Sequence, residues 1–392
     1  MHEEFRSLLY IAMIAAFVPL VVGLLRIRVA EVVLLLGLGV VFGPQFIGTI
    51  HVTESIDVFA ELGMGLLFFL AGMEIDRRAV TGTAGRLAAV GWGCALLLAG
   101  LLTGLLSLFG VVQDFVGVSI ALTTTALGTL LPILRDAGEL DTPFGRLFLG
   151  AGAWGELGPI VAIAILLGSD SRLASLLFLA LFLGFALLVL VIPARLSLPA
   201  VTAVINRGNH TSSQTAVRLI MLLLILLIFT AGSFGIDAVL GAFIAGIIAR
   251  RLAPLEAGSG LLHKVEAIAF GFFIPLFFVV SGARLDVRSI IASPLKMLVF
   301  FLLLFMVRGL PQLVIYRRAI PDVVIRLRFS FLVATGLPLL VAITSLEVSN
   351  GVMRPSTGAA IVGAGALSVL VFPILAATLG RRRQPSEVVV NT

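Results

Sequence analysis

The sequence predicts an all-α fold embedded in a lipid bilayer, with about 13 transmembrane helices, and three observations predict it. The first is composition: 60% of the 392 residues are hydrophobic and only 12% are charged. A soluble domain keeps roughly a quarter of its residues charged, because its surface meets water. A soluble chain of this length would also have to bury more apolar surface than one core holds, since single cores stop growing near ~250–300 residues. The second observation is the recurrence of apolar runs close to ~20 residues, the length that crosses the hydrocarbon layer. The third is an alternation of basic residues between successive loops.

In chain order the apolar segments are 5–25, 29–43, 55–73, 86–109, 116–134, 145–168, 172–194, 214–232, 236–251, 261–282, 295–316, 322–346 and 355–379, the second and ninth being short. The N-terminus carries Glu3 and Glu4 where a secretion signal carries bases, so the first segment is expected to be a retained helix. Of the 27 Lys and Arg residues, 20 fall in one set of alternate loops, 6 fall in the other, and Arg308 lies inside a segment. That split requires an odd number of crossings, with the N-terminus outside and the C-terminus in the cytoplasm. The expected setting is a bacterial inner membrane. The net charge of +6 is spread over many loops rather than gathered in one stretch, which argues against a nucleic-acid partner. Cys94 stands alone and the four histidines show no metal-ligand spacing, so no disulfide and no cofactor are expected. No loop is long enough to fold alone, and 380–392 is a short polar tail.

An internal echo links the third and tenth segments. Leu67-Phe-Phe-Leu-Ala-Gly72-Met-Glu-Ile-Asp76 resembles Leu276-Phe-Phe-Val-Val-Ser-Gly282-Ala-Arg-Leu-Asp286, and the orientation above puts their ends on opposite sides. Two inverted-topology repeats would produce this pattern.

An ionisable group at the bilayer centre costs ~2.5–3.5 kcal/mol, so each one is a functional candidate. Glu156 sits midway along 145–168, and Arg308 midway along 295–316. A structural ion pair between two helices is the simpler reading of both. The functional reading makes Glu156 a carrier. A free glutamate titrates near ~4.3, and loss of water favours its neutral form, so protons and metal cations compete for one carboxylate. Arg308 keeps its charge and is suited to tuning that carboxylate or repelling cations. Glu61, in the third segment, reads as a packed helix residue.

Two segments look interrupted. The fifth carries Thr124, Thr125, Gly128 and Pro132 at mid-membrane, and the twelfth carries Gly336 and Pro338. Broken backbone inside a membrane is tolerated where protein or a water-filled cavity surrounds it, and paired breaks point to a substrate site at the midplane.

Several motifs then run in a recognisable order: Gly37-Leu-Gly-Val-Val-Phe-Gly-Pro44, Glu61 to Gly72, Thr124-Thr-Ala, Thr142-Pro-Phe-Gly-Arg146, Gly241-Ala-Phe-Ile-Ala-Gly246 and Phe273-Ile-Pro-Leu-Phe-Phe-Val. Together they resemble the sodium/hydrogen exchanger superfamily, in its second cation:proton antiporter family of Kef-like and NapA-like membrane domains. The resemblance implies a NhaA/NapA-like fold in which the fifth and twelfth helices are discontinuous and cross. It implies one membrane domain over 1–379, with a dimerisation part (about 5–73 and 214–282), a core (about 86–168 and 295–379) and a linking helix (about 172–194). The chain is then expected to be a homodimer whose core moves like an elevator. Glu156 falls where the family has its ion-binding aspartate, preceded by Gly155 where relatives often have an acid or amide. Thr124, Thr125 and Gly336 support the ion, and Arg308 stands where relatives carry a lysine or arginine. Kef-like relatives also carry a nucleotide-sensing domain, which is not expected to act here in cis.

The resulting expectation is a secondary antiporter, not an enzyme, that takes Na⁺ or K⁺ and H⁺ as substrates. Glu156 binds the monovalent cation, and a single titratable carboxylate favours electroneutral exchange. The rival readings are a cation-coupled organic-anion transporter of related fold and a K⁺ efflux channel-like protein.

Overall fold

A computed structural model of the chain describes residues 2–25, 30–74, 82–166, 172–195, 214–234, 236, 238–252 and 261–380. Every regular element among them is helical. They are α1 (His2–Leu25), α2 (Glu31–Phe42), α3 (Glu54–Glu74), α4 (Gly82–Leu108), α5 (Phe115–Leu122), α6 (Leu127–Asp136), α7 (Pro143–Leu166) and α8 (Arg172–Arg195). Then follow α9 (Thr215–Ser233), α10 (Ala238–Leu252), α11 (Leu261–Arg284), the short α12 (Val287–Ala292), α13 (Pro294–Ile315), α14 (Val323–Ala334), α15 (Pro338–Ser349) and α16 (Pro355–Gly380). Each apolar segment read from the sequence meets one of these helices, and the fifth and twelfth each meet two half-helices. Among the described residues, 8 helices are long and apolar enough to cross a membrane.

The pattern within a helix is that of a protein solvated by lipid. On α4, small residues face inward: Ala88, Gly91, Ala95, Ala99 and Thr103 are buried. Large ones face outward, with Leu97, Leu101, Leu105 and Leu108 exposed. A soluble helix does the reverse. Without water to drive apolar residues together, small residues at the contact let backbones approach closely, and leucine serves as the outer surface.

Two compact units emerge, one of Met1–Ala16, His51–Ile75 and Ile163–Val280, the other of Phe17–Ile50, Asp76–Ala162 and Ser281–Thr392. In the first unit, α3 and α10 meet through glycines. A side chain at Gly72 would collide with the Phe243 carbonyl, and one at Gly246 with the Phe69 carbonyl. Arg250 donates from Nη1 to the carbonyl of Met73 and so caps the end of α3. Glu61 departs from its expected packing: it is exposed on α3, sharing a face with Glu54 and Val58 at helical spacing.

In the second unit, Gly282 presses on the carbonyl of Leu36. Gly72 and Gly282 are the matched glycines of the sequence echo, and each forms a glycine-to-carbonyl contact with a different helix. The core of this unit gathers Leu127, Leu130, Phe144, Phe148, Tyr316, Phe329 and Val333 from α6, α7 and α14 and from the loop after α13. At one end of that core Arg328 donates from Nη2 to both carboxylate oxygens of Glu139 at 2.8 Å while lying over the Phe144 ring.

Candidate ion site

The candidate site lies wholly within the second unit and is built on the two breaks. The first break separates α5 from α6 at Thr123–Ala126. Asp114 starts α5 by accepting the Gly117 N–H at 2.7 Å. At its end the last carbonyls are shared: Thr123 Oγ1 donates to Ile120 at 2.7 Å and Thr124 Oγ1 to Ala121 at 2.9 Å, and the Thr123 and Thr124 N–H groups return to the same two oxygens in a tightened turn. The backbone N–H groups that follow are handed to other segments. Thr125 donates to the carbonyl of Gly155 at 3.1 Å, and Ala126 to that of Thr335 at 2.7 Å.

The second break separates α14 from α15 at Thr335–Leu337. Asp322 caps the start of α14, accepting N–H bonds from Val324 and Ile325. Thr335 Oγ1 donates back to Phe331 at 3.0 Å. Pro338 opens α15 at its first position, where a missing N–H costs nothing. The breaks are bonded to each other: besides Ala126 to Thr335, the Thr125 hydroxyl donates to the carbonyl of Val333 at 2.7 Å. Thr123, Thr124, Thr125 and Thr335 are all at most 1% exposed. Backbone left unsatisfied in such a place costs several kcal/mol per group, on the order set by apolar transfer.

Glu156 projects from α7 onto the start of α6. It is 9% exposed, and its Oε1 accepts the N–H of Leu127 at 3.2 Å. The first N–H groups of a helix carry partial positive charge, so this is a place that favours an anion. Glycines on α7 make the approach possible. A Cβ at Gly155 would sit 2.6 Å from Thr125 Cβ and 2.7 Å from Arg308 Nη2.

Arg308 reaches the same place from α13. It is 1% exposed, donating from Nε to Thr125 Oγ1 at 3.0 Å and from Nη2 to the carbonyl of Ala151 at 2.7 Å. The side chain is aimed by a π-helical turn at Phe305–Gly309, where the Leu310 N–H returns to Phe305. Pro311 has no N–H to give to Val307, so the ordinary ladder is already interrupted there. Gln312 Nε2 then donates to the Arg308 carbonyl at 3.1 Å.

Of the residues expected from the sequence, Glu156, Gly155, Thr125 and Arg308 come together around the start of α6. Thr124 faces Gly336, where a Cβ would sit 2.9 Å from Thr124 Oγ1. Pro338 is the first residue of α15, directly after the second break. Gly128 and Pro132 do not mark the first one: both lie inside α6, after the unwound stretch. The N–H groups of Thr125 and Ala126 leave the helix for other segments, and Pro132, at the sixth helical position of α6, forfeits only the bond to Gly128. Sequence reasoning missed the π turn, the supporting carbonyl of Ala151, Gln312, and Ser368 on α16, whose hydroxyl meets the Gly336 N–H at 3.2 Å. It also passed over Glu347, which is 2% exposed near the end of α15. The signal for Ser368 was a hydroxyl at the middle of the helix, following Gly363 and Gly365, whereas Ser356, Thr357 and Thr378 lie near its ends.

The model of the transmembrane sodium/hydrogen exchanger family matches residues 12–381. The chain belongs to that family. Within it, the glutathione-regulated potassium-efflux system protein KefC of Escherichia coli K12 is 27% identical over 98% of this chain and 62% of its own length. The putative Na(+)/H(+) antiporter YjbQ of Bacillus subtilis is 23% identical over 98% of this chain and 65% of its own length. The chain thus spans less than two thirds of these two curated relatives. Among solved structures, the sodium proton antiporter MjNhaP1 of Methanocaldococcus jannaschii superposes with a TM-score of 0.61 at 16% identity, covering 96% of this chain and 99% of that one. The exchanger-family fold therefore holds over nearly the full length of the chain.

Proposed function

We propose that the chain is a secondary antiporter that exchanges Na⁺ or K⁺ for H⁺, with Glu156 as the shared carrier. The observation that carries the reading is the placement of one buried carboxylate at the start of a half-helix, beside the crossing of two unwound segments. Family membership and the printed functions of the relatives support the class of substrate.

The chemistry follows from charge balance. In one half-cycle Glu156 carries a proton and is neutral. In the other it gives up the proton, and a cation with one positive charge takes its place, aided by the oxygens of Thr124, Thr125 and the Gly336 region. The carrier has the same net charge in both loaded forms. One cation for one proton is then electroneutral, with Arg308 a constant charge. The core, about 86–168 and 295–379, is proposed to move as an elevator within a homodimer held by about 5–73 and 214–282. The N-terminus is placed outside a bacterial inner membrane, and the C-terminus in the cytoplasm.

Everted vesicles or proteoliposomes test this directly. Adding Na⁺ or K⁺ is expected to collapse an imposed pH gradient with the native chain and to leave it intact with Glu156→Gln, a loss of at least about 100-fold, as for a group whose exchange is the reaction itself. Cation-dependent collapse by Glu156→Gln at the native rate ends the assignment. Clamping the membrane potential at different values is expected to leave the native rate unchanged. A rate that follows the potential removes the one-for-one stoichiometry while keeping the carrier.

A further inference from the structure

At each break a backbone N–H meets a side chain from the long helix that follows the broken one. Past the first break, Leu127 meets Glu156, 29 residues further on. At the second, Gly336 meets Ser368, 32 residues further on. Ser368 is fully buried, at 0% exposure. Its Oγ accepts the Gly336 N–H at 3.2 Å and faces two carbonyls, Gly336 at 3.1 Å and Gly365 at 2.7 Å. A hydroxyl has one proton and two acceptor sites, so it holds the N–H and donates to one of the two carbonyls at a time. Gly365 makes the arrangement possible, because a Cβ there would sit 2.9 Å from the Gly336 oxygen.

The peptide that Ser368 holds is continuous with the groups that define the ion site. Thr335 precedes Gly336 and receives the Ala126 N–H at 2.7 Å. Val333 receives the Thr125 hydroxyl at 2.7 Å, and the same hydroxyl oxygen receives Arg308 Nε at 3.0 Å. Ala126 is followed by Leu127, the donor to Glu156. A Gly336 peptide free to rotate would displace the Thr335 and Val333 carbonyls, and with them the first break.

We propose that Ser368 is a positioning residue of the ion site: by fixing the Gly336 peptide from α16 it sets the placement of the crossing that presents Leu127 to Glu156. The proposal rests on the antiport reading for its transport readout alone.

The purified full-length chain tests it by amide hydrogen exchange combined with transport in proteoliposomes. In Ser368→Ala, the amides of 335–337 and also those of 125–127 are expected to exchange about fivefold faster, as local opening spreads across the crossing. The cation concentration for half-maximal exchange is expected to rise about tenfold while the maximal rate changes less than about twofold, the scale of one lost buried hydrogen bond. Ser368→Thr is expected to restore both, because a helical threonine hydroxyl reaches the same i−3 or i−4 carbonyl. Faster exchange confined to 335–337, with 125–127 and the half-saturation unchanged, overturns the proposal. A native chain with no cation-dependent exchange at all removes the antiport reading, and the amides of 125–127 then decide the role of Ser368 alone. Should Ser368→Ala fail to fold, Ser368→Cys, a weaker donor and acceptor, carries the same comparison.

Discussion

The two interrupted helices face one problem and meet it with opposite chemistry. Both leave backbone N–H groups unwound in apolar surroundings, and both hand those groups to partners on other segments. The first break is charged: a carboxylate stands at the start of α6, and a guanidinium bridges Thr125 and the Ala151 carbonyl. The second is neutral, held by the Ser368 hydroxyl, carbonyls and close glycines. The crossing is shared, whereas the titratable group is not. Unwinding a helix creates room and exposes dipoles, but trading a proton for a metal ion also requires a group whose charge changes. On the proposed antiport reading that group is Glu156 at the first break, and the second break serves as the scaffold against which it is held.

The comparison is most exposed at Arg308. Arg308→Ala removes the donors to Thr125 Oγ1 and to the Ala151 carbonyl, in a place with 1% exposure. Thr125 Oγ1 keeps its bond to Val333 and the Ala151 carbonyl lies within α7, so the loss is of two charge-assisted hydrogen bonds, about 1.5–3 kcal/mol each, and the emptied volume adds to that. Exchange is expected to fall about 100-fold and the melting temperature of the detergent-purified chain to drop by several degrees, the largest effect among residues other than Glu156. Arg308→Lys keeps the charge but loses the planar fork, so it is expected to recover stability only partly. An Arg308→Ala chain as stable and active as the native one would mean that charge is not what separates the two breaks.

How far the sequence reveals this site depends on the residue. Glu156 and Arg308 were legible because a charge amid apolar residues is costly wherever the chain folds, so composition alone singles them out. The second break was legible from Gly336 and Pro338, since a proline at the first helical position marks a start. The first was legible only in its neighbourhood. Gly128 and Pro132 drew attention, yet the interruption comes with N–H bonds to Gly155 and Thr335, partners 30 residues or more away. The π turn was hidden for a related reason. Pro311 follows Gly309 by two residues, as Pro275 follows Phe273 at the π turn Ala269–Phe273, and both turns return an N–H five residues back. A mid-helix proline also produces ordinary kinks, so the pattern does not announce a π turn by itself. Ser368 was hidden because serines in membrane helices commonly bond their own preceding carbonyls, and this one does so too, at Gly365.

Paired glycine substitutions sharpen the comparison with smaller effects. Gly155→Ala places a Cβ 2.6 Å from Thr125 Cβ and 2.7 Å from Arg308 Nη2. Neither neighbour has freedom to move, since Thr125 is fixed through its N–H and its hydroxyl, and Arg308 through two donors. Overpacking of this kind costs about 1–3 kcal/mol, and exchange is expected to drop about tenfold with a rise in the half-saturating cation concentration. Gly336→Ala meets Thr124 Oγ1 at 2.9 Å, the end of a side chain held by one bond to Ala121. The backbone oxygen of Thr124 lies farther off, at 3.3 Å, so the second substitution has one tight contact, with a side-chain end, and is expected to cost less than about 1 kcal/mol and to change exchange less than about threefold. Side-by-side rates in proteoliposomes, with melting temperatures of the same preparations, give the ranking. A Gly336→Ala chain more damaged than Gly155→Ala would place the tighter constraint at the neutral break. The cation would then depend more on the scaffold around Thr124 than on the carboxylate's own surroundings.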